Sequence, residues 1–370
     1  MIIGVVKELK NHEYRVGLTP DNVKRYVENG HEILVEKDAG KGAHFTNEEY
    51  EKAGAKIIDE AKDVYSKSDM IIKVKEPLEC EYQYLKEGQI LFTYLHLASN
   101  KELAKVLLEK KVCAIGYETI EDKQGFLPCL RPMSEIAGRL SIQEGAKYIE
   151  STYGGKGILL GGIPGVERGN VVIIGGGVVG TFAAKAAVGM GARVTILDRN
   201  LNRLVYLDDI FGNSVMTLYS SDVNIEKSLL DADLVIGAVL NAGDSAPKII
   251  KEKYVKEMKK GAVIVDIAID QGGCCETSHQ TTHDDPIFIK HGIVHYCVGN
   301  MPGAVPYTST IALTNVTSNY GLLIANNGVK KATELDKGLL KGVNTFEGYC
   351  TNENVCHALN ETCKNIKDLL

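Results

Sequence analysis

The most restrictive feature of the sequence is a glycine-rich turn between an apolar strand and a helix-forming segment. Residues 171–174 are all apolar, and they run directly into Gly-Gly-Gly-Val-Val-Gly at positions 175–180. Gly175 permits a tight turn, Gly177 lets a pyrophosphate approach the backbone, and Gly180 lets the helix pack closely on the strand. A helix N-terminus also attracts the anion. The turn therefore predicts a dinucleotide-binding α/β fold.

The residues after this turn indicate which dinucleotide binds. The next apolar strand, 192–197, ends at Asp198, eighteen residues after Gly180. A carboxylate there can accept hydrogen bonds from both adenosine ribose hydroxyls and repels the extra phosphate of NADP. Arg199 and Arg203 lie close by, and a guanidinium group could instead receive that phosphate. The balance favours NAD as the cofactor.

Four further strand patterns, at 214–218, 234–238, 263–267 and 293–298, complete a six-strand series that matches a doubly wound sheet. In such a sheet the ligand lies across the carboxyl ends of the strands. We therefore expect cofactor contacts from the residues at or just beyond those ends, which are Ser220, Val239, Leu240, Ile267, Ala268, Ile269, Asp270, Val298, Gly299, Asn300 and Met301.

A second α/β series precedes the glycine-rich turn. Apolar runs at 2–6, 31–35, 70–74, 90–95 and 112–115 predict strands, and 20–28 and 100–110 predict helices with Thr19 and either Ser99 or Asn100 as caps. A long helix at 134–150 could bridge two domains, and helices are expected at 310–324 and 352–370. The C-terminal part adds too little for a third domain, so we expect it to pack on the N-terminal one.

Length and composition limit the possible functions. A chain of 370 residues is longer than the size at which a single hydrophobic core keeps growing, so two domains are expected. The net charge of −6 gives no sign of the basic surface that binds nucleic acid. The apolar runs are too short to span a membrane. Met1 leads directly into a strand-like run, which favours a cytoplasmic protein without a leader. Nine cysteines without framework spacing suit reduced thiols in a reducing cytosol.

Four polar residues at strand ends are candidates for substrate chemistry. Arg15 follows the first strand and Lys75 ends the strand 70–74, and each could bind a carboxylate. His96 follows the strand 90–95 and titrates in the range of a general acid or base. Asp270 ends a very apolar strand on the predicted nicotinamide side. The alternatives are solvated surface charges for Arg15 and Lys75 and a structural histidine at position 96.

A further cluster of possible metal ligands lies in one loop, comprising Cys274, Cys275, His279, His283, Asp284 and Asp285. Their spacing matches no closed zinc pattern. We therefore predict no metal, and interpret the segment as a loop that covers the active-site cleft.

Several separate segments, taken in order, resemble bacterial alanine dehydrogenase nearly from end to end. They are Glu8 with residues 11–20, and the stretches 73–77, 93–98, 131–138 and 266–273. The resemblance implies two domains: a discontinuous α/β substrate domain formed by 1–128 and 305–370, and a central Rossmann NAD-binding domain at 129–304, joined by long helices. Adjacent Cys274 and Cys275 depart from the family pattern and raise the question of oxidation sensitivity.

The resemblance also implies an activity, which is reversible oxidative deamination of L-alanine by NAD to pyruvate and ammonium, in a homohexamer. Arg15 and Lys75 would hold the substrate carboxylate and oxo group, and His96 and Asp270 would serve as acid–base residues. NAD would be bound by Ser134, Val178, Val179, Asp198, Arg203, Ser220, Val239, Leu240 and the turn Asn300-Met301. The alternatives are the related NAD-binding component of a transhydrogenase, a dehydrogenase for another small amino acid or of the saccharopine type, and a silent NAD-binding sensor.

Overall fold

The computed structural model describes residues 1–239 and 246–370. Its strands, in chain order, are β1 (Ile2–Val5), β2 (Glu32–Glu36), β3 (Lys56–Ile58), β4 (Met70–Ile72), β5 (Ile90–Thr93), β6 (Cys113–Gly116), β7 (Asn170–Ile174), β8 (Arg193–Asp198), β9 (Val215–Tyr219), β10 (Leu234–Gly237), β11 (Val263–Asp266), β12 (Ile287–Lys290), β13 (Ile293–Tyr296), β14 (Val343–Phe346) and β15 (Tyr349–Cys350). Its α-helices are α1 (Pro20–Glu28), α2 (Asn47–Lys52), α3 (Ala61–Lys67), α4 (Glu79–Tyr82), α5 (Lys101–Glu109), α6 (Arg131–Tyr148), α7 (Val178–Gly189), α8 (Leu201–Phe211), α9 (Asp222–Asp231), α10 (Glu252–Glu257), α11 (Pro306–Leu335), α12 (Lys337–Gly342) and α13 (Glu353–Leu359).

The chain forms two compact units. The discontinuous unit comprises Met1–Met133 and Val305–Leu370, and the central unit comprises Ser134–Ala304. The sequence placed the first domain boundary after residue 128, whereas the units divide inside α6, which begins at Arg131. The second division, after residue 304, lies where the sequence placed it. That the discontinuous unit binds the substrate and the central unit binds NAD stays a prediction.

The central unit contains a seven-stranded sheet in the order β12-β13-β11-β10-β7-β8-β9. All neighbouring pairs are parallel except β12 with β13. Without β12, this is the doubly wound order in which the chain reverses between its first and fourth strands. The predicted fold class is confirmed. The antiparallel edge strand β12 was not predicted, since it has four residues and only half-buried or exposed positions.

The discontinuous unit contains an eight-stranded sheet in the order β15-β14-β6-β5-β4-β1-β2-β3. From β6 to β3 the neighbours are parallel and repeat the doubly wound order, with the reversal between β1 and β4. The hairpin β14–β15 adds antiparallel to β6. The C-terminal part therefore packs on the N-terminal part, as predicted, although as strands that are too short to give a sequence signal.

Local capping explains where the helices of this unit start. The Thr19 hydroxyl accepts the Asn22 N–H at 3.3 Å, and Pro20 occupies the first position of α1, as predicted. The Asn100 side chain accepts the Leu103 N–H at 3.1 Å and caps α5. The terminal helix predicted over 352–370 is present only over Glu353–Leu359. Helix α13 stops at Leu359, because Asn360 adopts a left-handed conformation with φ 58°.

A buried charge cluster fixes the point where the sheet of the discontinuous unit reverses. The Lys73 ammonium lies 2.9 Å from a Glu81 carboxylate oxygen and 3.5 Å from one of Glu8, with all three side chains at most 3% exposed. The other Glu8 oxygen accepts the backbone N–H groups of Val74 at 2.6 Å and Lys75 at 3.3 Å. The segment after β4 is thereby tied to the segment after β1.

Within residues 1–239 and 246–370, no helix combines the length and hydrophobicity needed to span a bilayer.

Candidate active site

The glycine-rich turn lies between β7 and α7 in the central unit. Gly175 has φ 104°, a conformation that favours glycine, and a Cβ at Gly180 would overlap the Gly175 carbonyl oxygen. Gly177 forms the N-cap of α7, and a Cβ placed on it would meet no atom within 4 Å. The first and last glycines are therefore required by packing. Gly177 instead leaves the backbone and the helix N-terminus open to an anionic ligand.

Asp198 and Arg203 brace this turn from the side of β8. One Asp198 oxygen accepts the Gly176 N–H at 2.7 Å and the other accepts the Asn200 N–H at 2.8 Å. Each oxygen keeps acceptor capacity for a ribose hydroxyl. Arg203 donates to the Gly176 carbonyl and to the Thr181 hydroxyl, each at 2.5 Å. Arg203 is thus bound to the turn itself through Nε and Nη2, and its contact with the cofactor stays a prediction.

A cavity of about 380 Å³ opens beside the turn. It is lined by Ser134, Gly175, Gly177, Val178, Val179, Leu197, Asp198, Arg199, Ser220, Ala238, Val239 and Ile249. Eight of these were predicted cofactor residues. The glycine-turn pattern predicted Gly175, Gly177 and Asp198, the strand-end rule predicted Ser220 and Val239, and the family resemblance implied Ser134, Val178 and Val179. Of the remaining predicted ones, Gly180 packs helix on strand and Leu240 lies outside the described residues. These features fit a dinucleotide, because a glycine cradle, a carboxylate and apolar walls meet in one cleft.

The other predicted cofactor residues follow β11 and β13. Asp270 is exposed in a short 3₁₀ helix, Ile267–Gln271, and its carboxylate accepts the Asn300 N–H at 3.2 Å. The neighbours Ala268, Ile269, Val298 and Met301 are buried, and Ile267 and Gly299 are half-buried. None of these residues is among those lining the 380 Å³ cavity. Their cofactor contacts stay predictions.

The adjacent cysteines lie in the core and not at the surface, and the covering role of the loop that contains them stays a prediction. Cys274 and Cys275 are fully buried in the core of the central unit. Their backbone N–H groups donate to the two Asp266 oxygens at 3.1 and 3.0 Å, which anchors the loop and explains the buried carboxylate. Burial raises the pKa of both thiols. Among the described residues, no group of histidine, cysteine and carboxylate side chains is arranged to hold a metal ion.

In the discontinuous unit, three predicted substrate residues follow the carboxyl ends of three strands. Arg15 lies in the loop after β1, Lys75 follows β4 and His96 follows β5. These strands are neighbours in the order β5-β4-β1, at the reversal of the sheet. The positive charge of Arg15 acts on Lys75, and that of Lys75 acts on His96. The edge where a doubly wound sheet usually binds its ligand therefore carries three cationic or titratable groups.

Arg15 is buried and held in a fork by Glu13. Its Nε donates to one Glu13 oxygen at 2.6 Å and its Nη2 to the other, while Nη1 lies 3.1 Å from the Met133 sulfur. Burial acts to lower the pKa of Arg15, but the hydrogen bonds and charge of Glu13 outweigh it and raise the pKa. The guanidinium is permanently charged, and its orientation is fixed before any ligand binds.

Lys75 differs from Arg15 in having no such counter-ion. Among the described residues, its ammonium group has no hydrogen-bond or ion-pair partner, while its backbone N–H is held by Glu8. Burial, reinforced by the positive charge of Arg15, lowers the pKa of Lys75. An anionic ligand would supply the missing negative charge, and this is the electrostatic signature of a binding site.

His96 adopts a left-handed backbone conformation with φ 51°, which is uncommon for a residue other than glycine. Glu118 holds this turn, because its carboxylate accepts the N–H groups of Leu95 at 3.0 Å and His96 at 2.7 Å. The side chain reaches solvent, yet the protein around it partly dehydrates the imidazole and lowers its pKa. Glu118 acts to raise that pKa and Lys75 acts to lower it. At neutral pH the free imidazole is predominantly neutral.

Sequence reasoning missed two carboxylates that position these groups. Glu13 lies inside the segment that carries Arg15, and Glu118 follows β6, the strand next to that of His96. The strand-end rule, applied to β6, would have found Glu118. The sequence analysis also missed three residues that line the cleft of the central unit. Leu197 and Ala238 lie at strand ends, whereas the sequence holds no signal for Ile249.

Comparison with known proteins agrees with this arrangement. Residues 4–137 match the family model described as alanine dehydrogenase/PNT, N-terminal domain, and residues 141–353 match the one described as alanine dehydrogenase/PNT, C-terminal domain. A solved structure named L-alanine dehydrogenase superposes with a TM-score of 0.95 and 50% identity, covering 97% of this chain and 99% of that chain. A transhydrogenase from Sinorhizobium meliloti gives a TM-score of 0.83 at 19% identity, covering 95% and 99%, which shows the shared fold alone.

Curated relatives match along their full length. The chain is 57% identical over 359 residues to alanine dehydrogenase of Methanococcus maripaludis, covering 97% of this chain and 96% of the relative. It is 53% identical over 371 residues to alanine dehydrogenase 2 of Staphylococcus aureus, covering all of both. The two family models together span most of the chain, and the relatives span nearly all of it. The chain therefore belongs to the alanine dehydrogenase/PNT family.

Proposed function

We propose that this chain is an NAD-dependent L-alanine dehydrogenase, which converts L-alanine, NAD and water reversibly to pyruvate, ammonium and NADH. The observation that carries the proposal is the group Arg15, Lys75 and His96 at the carboxyl edge of β1, β4 and β5, in a chain whose full-length relatives are named alanine dehydrogenase. The group offers a fixed cation, an ammonium without a partner in the part of the chain that the structure describes, and a neutral base. A 2-amino or 2-keto acid needs these three partners.

The cofactor would be held by the glycine turn and by Asp198. Backbone amides near Gly177 and the N-terminus of α7 would meet the pyrophosphate, while Asp198 would accept hydrogen bonds from the adenosine ribose. Ser134, Ser220 and Val239 line the same cavity and would contact the nucleotide. When bound there, NAD supplies a hydride acceptor.

Arg15 and Lys75 would bind the substrate as a charge clamp. Arg15 is fixed by Glu13, so little conformational entropy is lost when it meets the substrate carboxylate. The Lys75 ammonium would donate to the oxo group of pyruvate and polarise it. Its lowered pKa reflects burial next to Arg15, and a bound carboxylate would restore the charge balance.

His96 would move protons on the substrate. In the direction of deamination, the neutral imidazole accepts a proton from the water that adds to the imine carbon of oxidised alanine. In the direction of amination, the protonated imidazole returns that proton to the hydroxyl of the carbinolamine, which leaves as water. Asp270 is the second acid–base candidate, because it is an exposed carboxylate at the end of β11.

The homohexamer and the cytoplasmic location are further parts of the proposal. The segment 159–166 of the central unit exposes three large apolar side chains, Leu159, Ile163 and Val166, each at 58% or more. Contact with other copies of the chain would cover them. Nine unpaired cysteines suit a reducing compartment. The transhydrogenase alternative is less supported, since that likeness extends only to the fold.

The activity is tested with purified protein, pyruvate, ammonium and NADH. We expect NADH oxidation, followed by its absorbance at 340 nm, only when pyruvate and ammonium are both present, because imine formation must precede reduction. Omission of either reactant is the control, and 2-oxobutyrate and glyoxylate in place of pyruvate rank the substrates. A flat absorbance trace in the complete mixture would reject the dehydrogenase proposal.

Replacing the imidazole tests the role of His96. His96→Gln should lower kcat for amination by about 10²- to 10⁴-fold, the usual contribution of a general acid–base group. NADH affinity, measured by fluorescence titration, should stay within about twofold of the wild type. His44→Gln is the matched control, because His44 is an exposed histidine of the same unit with the same left-handed backbone, φ 62°. Equal losses in both variants would show that the backbone conformation, rather than the proton transfer, was disturbed.

Glu118 should tune the pH dependence. Its charge raises the pKa of His96, so Glu118→Gln lowers that pKa further, while the amide oxygen can still accept one backbone N–H. Amination requires the protonated imidazole and is lost as pH rises through its pKa. The basic limb of kcat/KM for pyruvate should therefore move to lower pH in the variant. Glu121→Gln, whose carboxylate pairs with Lys341 on the surface, should leave it in place. A uniform loss at every pH would indicate a structural role alone.

The choice between NAD and NADP should depend on Asp198. Loss of hydrogen bonds to a charged group costs about 1.5–3 kcal/mol, so Asp198→Gly should reduce the preference for NADH over NADPH in kcat/KM by about 10- to 100-fold. Because Asp198 also holds the Gly176 N–H, Asp198→Asn is needed as a companion that keeps an acceptor but removes the charge. It should admit NADPH while retaining more NADH activity. An unchanged preference in both variants would contradict the ribose role.

A further inference from the structure

Three cysteines meet in the C-terminal part of the discontinuous unit. Cys350 ends β15, Cys356 lies in α13, and Cys363 lies in the segment that follows α13. The Cys356 sulfur is 2.8 Å from that of Cys350 and 2.6 Å from that of Cys363. The backbones of Cys350 and Cys363 are also paired as a parallel bridge. Both outer sulfurs are thus held against the central one by secondary structure and not by side-chain placement alone.

The sulfur spacing distinguishes between two uses of such a cluster. A zinc ion with bonds of about 2.3 Å in tetrahedral geometry keeps its sulfurs about 3.8 Å apart. A disulfide bond is about 2.05 Å long. Separations of 2.6 and 2.8 Å are too short to admit a metal ion and lie closer to the covalent distance. Since Cys356 can bond to one neighbour at a time, the third thiol is always left within reach of the bond.

We propose that Cys350, Cys356 and Cys363 form a thiol–disulfide exchange site, which takes a low-molecular-weight disulfide as its reactant and in which Cys356 pairs alternately with its two neighbours. The cluster includes none of the residues assigned to alanine or NAD, although α13 packs against the short helix Leu97–Ser99 that follows His96. The proposal does not depend on the dehydrogenase activity.

The reaction begins at Cys363, whose side chain is exposed, whereas Cys350 and Cys356 are each 2% exposed. The Cys363 thiolate attacks one sulfur of the small disulfide, and a mixed disulfide forms as the first small thiolate leaves and takes up a proton. Cys356 then loses its proton and attacks the Cys363 sulfur, and the second small thiol leaves. The two protein thiols have lost two electrons and two protons, and the small disulfide has become two thiols.

The third cysteine makes the product exchangeable. The Cys350 thiolate attacks the Cys356 sulfur, the Cys356–Cys363 bond breaks, and the Cys363 thiolate returns to solvent in a step that is redox-neutral. Burial raises the pKa of Cys350 and of Cys356, so both react slowly with reagents from bulk water and depend on the proximity of their neighbour. This arrangement separates an accessible entry thiol from two protected ones.

The two products would fasten different segments. A Cys356–Cys363 bond ties the residues after Asn360 to α13. A Cys350–Cys356 bond ties α13 to the hairpin β14–β15, which is the edge of the eight-stranded sheet. Exchange therefore transfers the anchor of α13 from the C-terminal segment to the sheet.

The test uses the full-length protein, reduced and then incubated with oxidised glutathione, with free thiols blocked by alkylation. Cleavage after glutamate separates the cluster, because Glu347, Glu353 and Glu361 place each of the three cysteines on its own peptide. Mass spectrometry should find the Cys356 peptide linked to the Cys363 peptide and, in part of the sample, to the Cys350 peptide. Each link lowers the combined mass by two hydrogens.

Single variants assign the steps. Cys363→Ser should leave only the Cys350–Cys356 link and slow its formation, Cys350→Ser should leave only Cys356–Cys363, and Cys356→Ser should abolish both and accumulate glutathione on Cys363. Cys80→Ser removes the other exposed thiol and is the matched control, which should keep the wild-type pattern. A wild-type protein that stops at the glutathione adduct overturns the proposal, as do links that bypass Cys356. Stoichiometric zinc in the reduced protein that is lost in Cys356→Ser would assign the cluster to a metal and equally overturn it.

Discussion

The buried carboxylate of Glu8 is the interaction on which the candidate substrate site depends. Burying a charge costs several kcal/mol unless it is paired and hydrogen-bonded, and Glu8 meets both conditions through Lys73 and the backbone N–H groups of Val74 and Lys75. Lys73 in turn requires Glu81. These contacts join the segments after β1 and β4, so the backbone of Lys75 is held in place. Its ammonium has no hydrogen-bond or ion-pair partner within residues 1–239 and 246–370. The paired charges of Glu8 and Lys73 in the core therefore hold Lys75 at the sheet edge, where its own charge is available to a ligand.

The two units use the same topology for different chemistry. Both sheets reverse between their first and fourth parallel strands, and in both the candidate site lies at the carboxyl edge of that reversal. In the central unit, glycines bare the backbone, so amide dipoles and one carboxylate, Asp198, form the site. In the discontinuous unit, Arg15, Lys75 and His96 place charged side chains at the same position. The topology fixes where a ligand binds, and the side chains decide which ligand it is.

What the sequence predicted follows from how local each signal is. The glycine turn, the strand series and the helix α1 with its Thr19 cap depend on neighbours within a few residues, and they were found. The left-handed turn at His96 depends on Glu118, which follows the neighbouring strand β6, so the sequence around His96 does not predict it. The hydrogen bond from Arg203 to the carbonyl of Gly176 also requires the folded turn, so the local sequence gives no sign of it. The short strands β12, β14 and β15 form by pairing at the edge of a folded sheet, which the local sequence does not show.

The cysteines show why proximity in sequence is a poor guide to reactivity. Cys274 and Cys275 are adjacent and attracted attention as a redox-sensitive pair, yet they are packed in a core, with their backbone N–H groups bound to Asp266 and their pKa raised by burial. Cys350, Cys356 and Cys363 have no motif spacing, and only a hairpin, a helix and a bridge bring their sulfurs within 3 Å. Thiol–disulfide exchange needs an accessible thiol and a second sulfur close to it. Folding supplies both at the C-terminal cluster, whereas at the adjacent pair it removes the exposure.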